Sequence, residues 1–125
     1  MTLDAYNNYC ASLRATTTVV QWGGSHVWKV GGKVFAIAST AQSGGAAPFV
    51  TFKVSPLAYD ILKEQDGLRP APYLASRGMK WIQRTADTEM SDSDLCRYLE
   101  ESHRLVAAGL TKKARAALGL EAIDS

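Results

Sequence analysis

The chain has 125 residues, 46% of them hydrophobic and 21% charged, with a formal net charge of +2. This is ordinary usage for one compact domain, long enough to bury a core without disulfide or metal staples. No apolar run reaches bilayer-spanning length and the segment Met1 to Cys10 lacks the charged and apolar regions of a signal peptide, so no membrane partner and a cytoplasmic location are expected.

In chain order, the segment Thr2 to Leu13 places Leu3, Tyr6, Cys10 and Leu13 at helical spacing, with Thr2 as cap and Asp4 in the first turn. Thr16 to Trp22 is β-branched and reads as a strand closed by Gly23-Gly24. Two alternating runs, His26 to Val30 and Lys33 to Thr40, then flank Gly31-Gly32, a pair suited to the positive φ angles of a two-residue hairpin. That turn sets Val30 opposite Lys33 and predicts Trp28 opposite Phe35, with Lys29 and Val34 on the other face. Ala41 to Pro48 is small and glycine-rich, as a mobile loop would be.

Phe49 to Val54 alternates as a further strand with Val50, Phe52 and Val54 on one side. Ser55-Pro56 opens a helix whose predicted apolar face is Leu57, Ile61 and Leu62, ending before Gly67. Leu68 to Met79 begins irregularly because two prolines prevent a helix there. Lys80 to Thr85 can form a strand around Trp81. Ser91 and Asp94 resemble a capping box and start the strongest helix, with Leu95, Leu99, Ser102 and Leu105 or Val106 recurring on one face. Gly109 ends it, and Thr111 caps a short basic helix stopped at Gly119.

Strands without long helical crossovers predict an α+β fold. The expected architecture is an antiparallel sheet of about five strands with helices packed on one face, in the order α-β-β-β-(β)-α-β-α. Residues 1–125 form a single domain on this reading.

Catalytic signals are weak. His26 and His103 have no Cys, His or carboxylate at metal-ligand spacing, no serine sits in a nucleophile elbow, and the three glycine pairs fit turns better than phosphate loops. No metal, no cofactor and no enzymatic activity are expected. Cys10 and Cys96 lie in helical segments, where buried thiols are the usual outcome, although spacing alone leaves a disulfide open.

The placement of positive charge is more informative than its total. Arg69, Arg77, Lys80 and Arg84 occur between Leu68 and Thr85 without an acid, and Lys112, Lys113 and Arg115 cluster on one helix. Such groups can contact phosphates, with Tyr73 or Trp81 able to stack on bases; a solvated face is the plainer alternative. Lys29 and Lys33 flank the hairpin tip, where they serve equally as gatekeepers against aggregation.

The pieces QWGGSHVWKVGGKVFAIAS (Gln21 to Ser39), FKVSP (Phe52 to Pro56), GLRPAPYLASRGMKWI (Gly67 to Ile82) and ESHRLVAAGLTKKARAAL (Glu101 to Leu118), in this order, resemble the MmcQ/YjbR family of small bacterial proteins named for DNA binding. The resemblance implies a double-wing fold akin to type III secretion chaperones, and basic residues just before the tryptophan. It offers no catalytic residues to carry over. DNA binding is itself an analogy of fold in that family.

The leading expectation is a non-enzymatic DNA-binding domain of the MmcQ/YjbR type. Its predicted contacts to the duplex backbone are Arg69, Arg77, Lys80, Lys112, Lys113 and Arg115, with Lys29 and Lys33 on a hairpin wing. The alternatives are a protein-interaction or chaperone-like module that pairs with another protein or itself, and a small-molecule pocket beneath residues 41–48 near Trp22, Tyr73 and Trp81. An apolar patch with an acidic rim would mark the former, a pre-formed cavity the latter.

Overall fold

A computed structural model describes residues 1–40, 47–72, 74, 78–85 and 90–120. Helices α1 (Leu3–Ser12), α2 (Pro56–Leu62), α3 (Asp92–Ala108) and α4 (Lys112–Leu118) accompany strands β1 (Thr16–Gln21), β2 (Ser25–Val30), β3 (Lys33–Ser39), β4 (Phe49–Lys53), β5 (Leu68–Pro70) and β6 (Trp81–Arg84). The strands form one antiparallel sheet in the order β1-β2-β3-β4-β6-β5. The α+β expectation holds, with six strands rather than five. The added one is β5, where Leu68 to Pro70 was expected to be irregular: an edge strand of three residues tolerates the proline that an inner strand could not.

The helices start where their caps predict. The side chains of Thr2, Ser55, Ser91 and Thr111 each accept the amide three residues on, and Gly119 closes α4 at φ +71°. Gly31 and Gly32 take φ +58° and +79°, so the β2–β3 turn forms as expected and Val30 faces Lys33.

Farther from the turn the predicted register fails. Trp28 pairs with Ala36, not Phe35, because β3 bulges beside the Trp28/Lys29 step. Phe35 and Ala36 are consecutive and both fully buried, which strict alternation forbids. The bulge brings the Phe35 ring edge-on to His103 of α3, with centroids 5.2 Å apart.

The core lies on the face bearing Trp28, Ala38, Val50, Phe52 and Ile82, covered by Tyr6 and Cys10 of α1, Leu62 of α2 and Leu95, Leu99 and Val106 of α3. Two buried polar ends under α1 are satisfied: Tyr6 donates to the His26 carbonyl and the Trp28 indole N–H to Asn7. Burial pushes the Cys10 thiol up to about 12, and neither Cys10 nor Cys96 is in a disulfide. Helix α2 departs from expectation, since Leu57 and Ile61 are 72% and 55% exposed while Ala58, Tyr59 and Leu62 face the core. A seven-residue helix makes too little contact to bury two faces, and this one docks through buried Leu62 with Ala58 and Tyr59 packed beside it.

Strands β3 and β4 part at the end where the hairpin turns. Their pairing stops at Ala36↔Phe52, and Ser102 of α3 enters the next rung. Its hydroxyl donates to the Phe35 carbonyl at 2.6 Å and accepts the Lys53 amide at 2.8 Å. The C-terminal half of α3 is thereby seated in the split.

Candidate functional site: a lysine-rimmed groove

The split gives the sheet a distinctive end. Register puts the start of β3, the end of β4 and the start of β6 side by side there, and with them Lys29 and Lys33 of the hairpin, Lys53, and Lys80 next to Trp81. Lys112 and Lys113 join this end through Leu110, whose side chain lies against Gly31 so closely that a Cβ there would meet Leu110 Cδ1 at 2.5 Å. Arg115 ties the same corner by donating to the carbonyls of Ala108 and Leu110, at 2.9 and 3.2 Å.

Four cations elsewhere in the molecule are ion-paired. Arg97 pairs with Asp94, Arg104 with Glu101, Lys63 with Asp60 and Arg84 with Asp92. The Arg104 guanidinium holds the Glu101 carboxyl below the usual range. Among the described residues, Lys29, Lys33, Lys53, Lys80, Lys112 and Lys113 have no carboxylate partner. Lys80 instead lies over the Tyr59 ring, 4.7 Å from its centroid.

On the face away from the core a groove of about 380 Å³ opens at this end. Val34 and Ile37 of β3, Lys53, Trp81, Met79 and Leu74 form its sides, with Leu105, Val106 and Gly109 of α3 showing through the split; Lys33 stands at its rim. No acidic side chain among the described residues lines it. Trp81 is only 5% exposed, and its indole N–H is buried with no hydrogen-bond partner among the described residues.

The predicted phosphate contacts divide in three. Lys29, Lys33, Lys80, Lys112 and Lys113 share the groove end. Arg69 lies on the β5 edge, with Nε and Nη2 both donating to Gln83 and the guanidinium over Phe49, so it braces the row Arg69–Gln83–Thr51. Arg115 is engaged with the end of α3, as above. Arg77 lies outside the described residues, as does Tyr73. Of the expected pocket, Trp81 lines the groove, Trp22 stands 63% exposed at the β1–β2 turn, and residues 41–46 lie outside the described residues.

Sequence reasoning missed Lys53, Met79 and the contribution of α3. Lys53 had a signal, since it alternates with Phe52 and Val54 at the end of a strand. Access from α3 had none, because it depends on the bulge and the Ser102 bridge.

Among the described residues no cluster of His, Cys, Asp and Glu could hold a metal ion, and no helix is long and apolar enough to cross a membrane.

No curated protein matches the chain. Among solved structures it is similar to the Deinococcus radiodurans protein DR2400, described with the domain DUF419, at 25% identity over 99% of this chain and 91% of that one, with a TM-score of 0.82. A protein from Pseudomonas syringae shares the fold at 17% identity, covering 85% of this chain and 99% of that one, with a TM-score of 0.66. The family model described as YjbR matches residues 11–105, a span from α1 into the second half of α3 that includes every strand and most of the groove. With well over half of its length matched, the chain belongs to the YjbR family.

Proposed function

We propose that the protein is a non-enzymatic domain that holds the phosphate backbone of duplex DNA against the lysine-bearing end of its sheet. The observation carrying this reading is the gathering of Lys29, Lys33, Lys80, Lys112 and Lys113 at one end without carboxylate partners, while the paired cations lie on α2, α3 and β6. Lysines without a carboxylate partner are free to neutralise phosphates and so release the cations condensed on the duplex. The β2–β3 turn lies at that end, with Leu110, between α3 and α4, packed against its Gly31. Arg69 and Arg115 already donate to Gln83 and to the carbonyls of Ala108 and Leu110, so this reading rests on the lysines. Flexible lysines serve as point charges, so backbone contact rather than base reading is the expected mode.

Binding of a random-sequence duplex across a salt series tests this. With about four phosphates engaged, the slope of log K against log salt should be about −3 to −4. Changing Lys33, Lys112 and Lys113 together to Gln should reduce it by about 2 to 3, whereas Arg97→Gln on α3 should leave it unchanged. Absence of binding at low salt, or an unaltered slope in the triple variant, would reject the reading.

A protein-interaction role is favoured by a different observation. Strand β1 is a six-residue sheet edge with no charged residue between Arg14 and His26; Val20 on it is 57% exposed and Trp22, in the turn that follows, 63%. Such edges accept an added strand, whereas β5 at the opposite edge is short and carries Arg69 and Pro70. Sedimentation of the wild type against Val20→Lys checks it: self-association through β1 should be lost in the variant, and a monomeric wild type excludes pairing of copies.

A further inference from the structure

We propose that the groove in the strand split is a binding site for a small apolar molecule carrying one carboxylate. This goes beyond the nucleic-acid reading and does not rest on it.

Three features of the groove select that chemistry. Its volume of about 380 Å³ falls within the roughly 300–1,000 Å³ usual for small-molecule sites. Its walls are aliphatic, thioether and indole surface from Ile37, Leu74, Met79, Trp81 and Leu105, which suits an alkyl chain or one aromatic ring system. Its charged members are Lys33 and Lys53, with no acid among the described lining residues, so the complementary head group is an anion. The lysines are anchored differently. Lys33 is exposed on the hairpin, while half-buried Lys53 has its backbone amide fixed by Ser102, which holds the root of that side chain at the groove.

The second, independent observation is the Trp81 indole. Its N–H is buried and unpaired, and a buried donor in that state costs about 1–3 kcal/mol. Native proteins seldom leave such a group without a use. A ligand oxygen accepting from it would remove the cost on binding, and that gain goes to a ligand with an acceptor rather than to a plain hydrocarbon. Since the N–H is shielded from solvent, the wall must shift for the contact to form. Met79, 41% exposed and unbranched, is the adjustable part of that wall.

Octanoate, with octanol and octylamine as matched probes, tests the site by titration while the indole ¹H–¹⁵N resonances are followed. Octanoate should shift the Trp81 resonance saturably and bind at least tenfold more tightly than either of the others. Lys53→Met keeps the side-chain stem and the amide that Ser102 holds, and should weaken octanoate about tenfold while leaving octanol unchanged; Lys33→Met on the exposed hairpin provides a second variant. Equal affinity for all three probes, a shift confined to the Trp22 or Trp28 resonances, or unchanged octanoate binding in both lysine variants would overturn the proposal. Loss of DNA binding with these shifts intact would sink the nucleic-acid reading alone.

Discussion

Ser102 stands in for a missing rung of the sheet: its hydroxyl donates to the Phe35 carbonyl at 2.6 Å and receives the Lys53 amide at 2.8 Å. One side chain therefore satisfies two backbone groups that the β3–β4 ladder abandons, and the groove exists because the strands can part there without leaving them orphaned. Ser102→Ala should lower stability by about 1–3 kcal/mol, the cost of unsatisfied buried groups. Urea unfolding measures this, and a loss below about 0.5 kcal/mol would show that the bridge is dispensable.

The two turn glycines should respond unequally to substitution. Both have positive φ, so alanine strains either one, costing about 1 kcal/mol. Only at Gly31 would the added methyl also strike Leu110, while nothing lies within 4 Å at Gly32. Gly31→Ala should therefore destabilise more than Gly32→Ala and disturb the junction of α3 and α4. Thermal unfolding of the two variants, with backbone NMR shifts around Leu110, distinguishes the outcomes.

At the opposite end of the sheet, Asp92 receives the Met1 ammonium and the Arg84 guanidinium, each at 3.0 Å. The hydrogen bond from the N-terminal ammonium, aided by Arg84, holds its carboxyl below the usual range. A depressed carboxyl stabilises the fold above its unfolded-state value, near 4, and that contribution fades as pH falls through the lower folded value. Because Asp92 is half exposed, Asp92→Asn should cost only about 1 kcal/mol at pH 7. The gap between wild type and variant should close below pH 4. A gap independent of pH would contradict the assignment.

Helix α4 begins with Lys112 and Lys113 and has no acid in its first turn, which sets positive charge against the positive end of the helix dipole. Lys112→Glu should raise stability by about 0.3–1 kcal/mol at low salt. On the nucleic-acid reading the same change weakens duplex binding, so stability and affinity move in opposite directions. Melting temperature and affinity measured on one preparation reveal whether they do.

Local chemistry made much of this fold legible. Gly31-Gly32 announced the hairpin, Ser55-Pro56, Ser91 and Thr111 announced helix starts, and the alternation of Val50, Phe52 and Val54 identified a core face that the structure buries almost completely. What stayed hidden depends on contacts between distant segments. Nothing near Phe35 signals a bulge, because the ring contact of Phe35 joins it to His103, far along the chain. Leu57 and Ile61 imitate a buried stripe on a helix that docks through Leu62, Ala58 and Tyr59 instead. The lysine end was half visible: Lys112 and Lys113 are adjacent in sequence, but their approach to Lys33 depends on Leu110 packing under Gly31. Arg69 and Arg115 looked the same as those lysines until their acceptors were seen.

On the proposed reading, the unpaired lysines at the split end form one phosphate-binding surface. Salt-dependent binding of a random duplex by the wild type and by the triple variant Lys33→Gln, Lys112→Gln, Lys113→Gln tests it most directly. The prediction is a wild-type slope of about −3 to −4 that drops by about 2 to 3 in the variant with the fold intact. Identical slopes in the two proteins, or no binding by either at low salt, would contradict it.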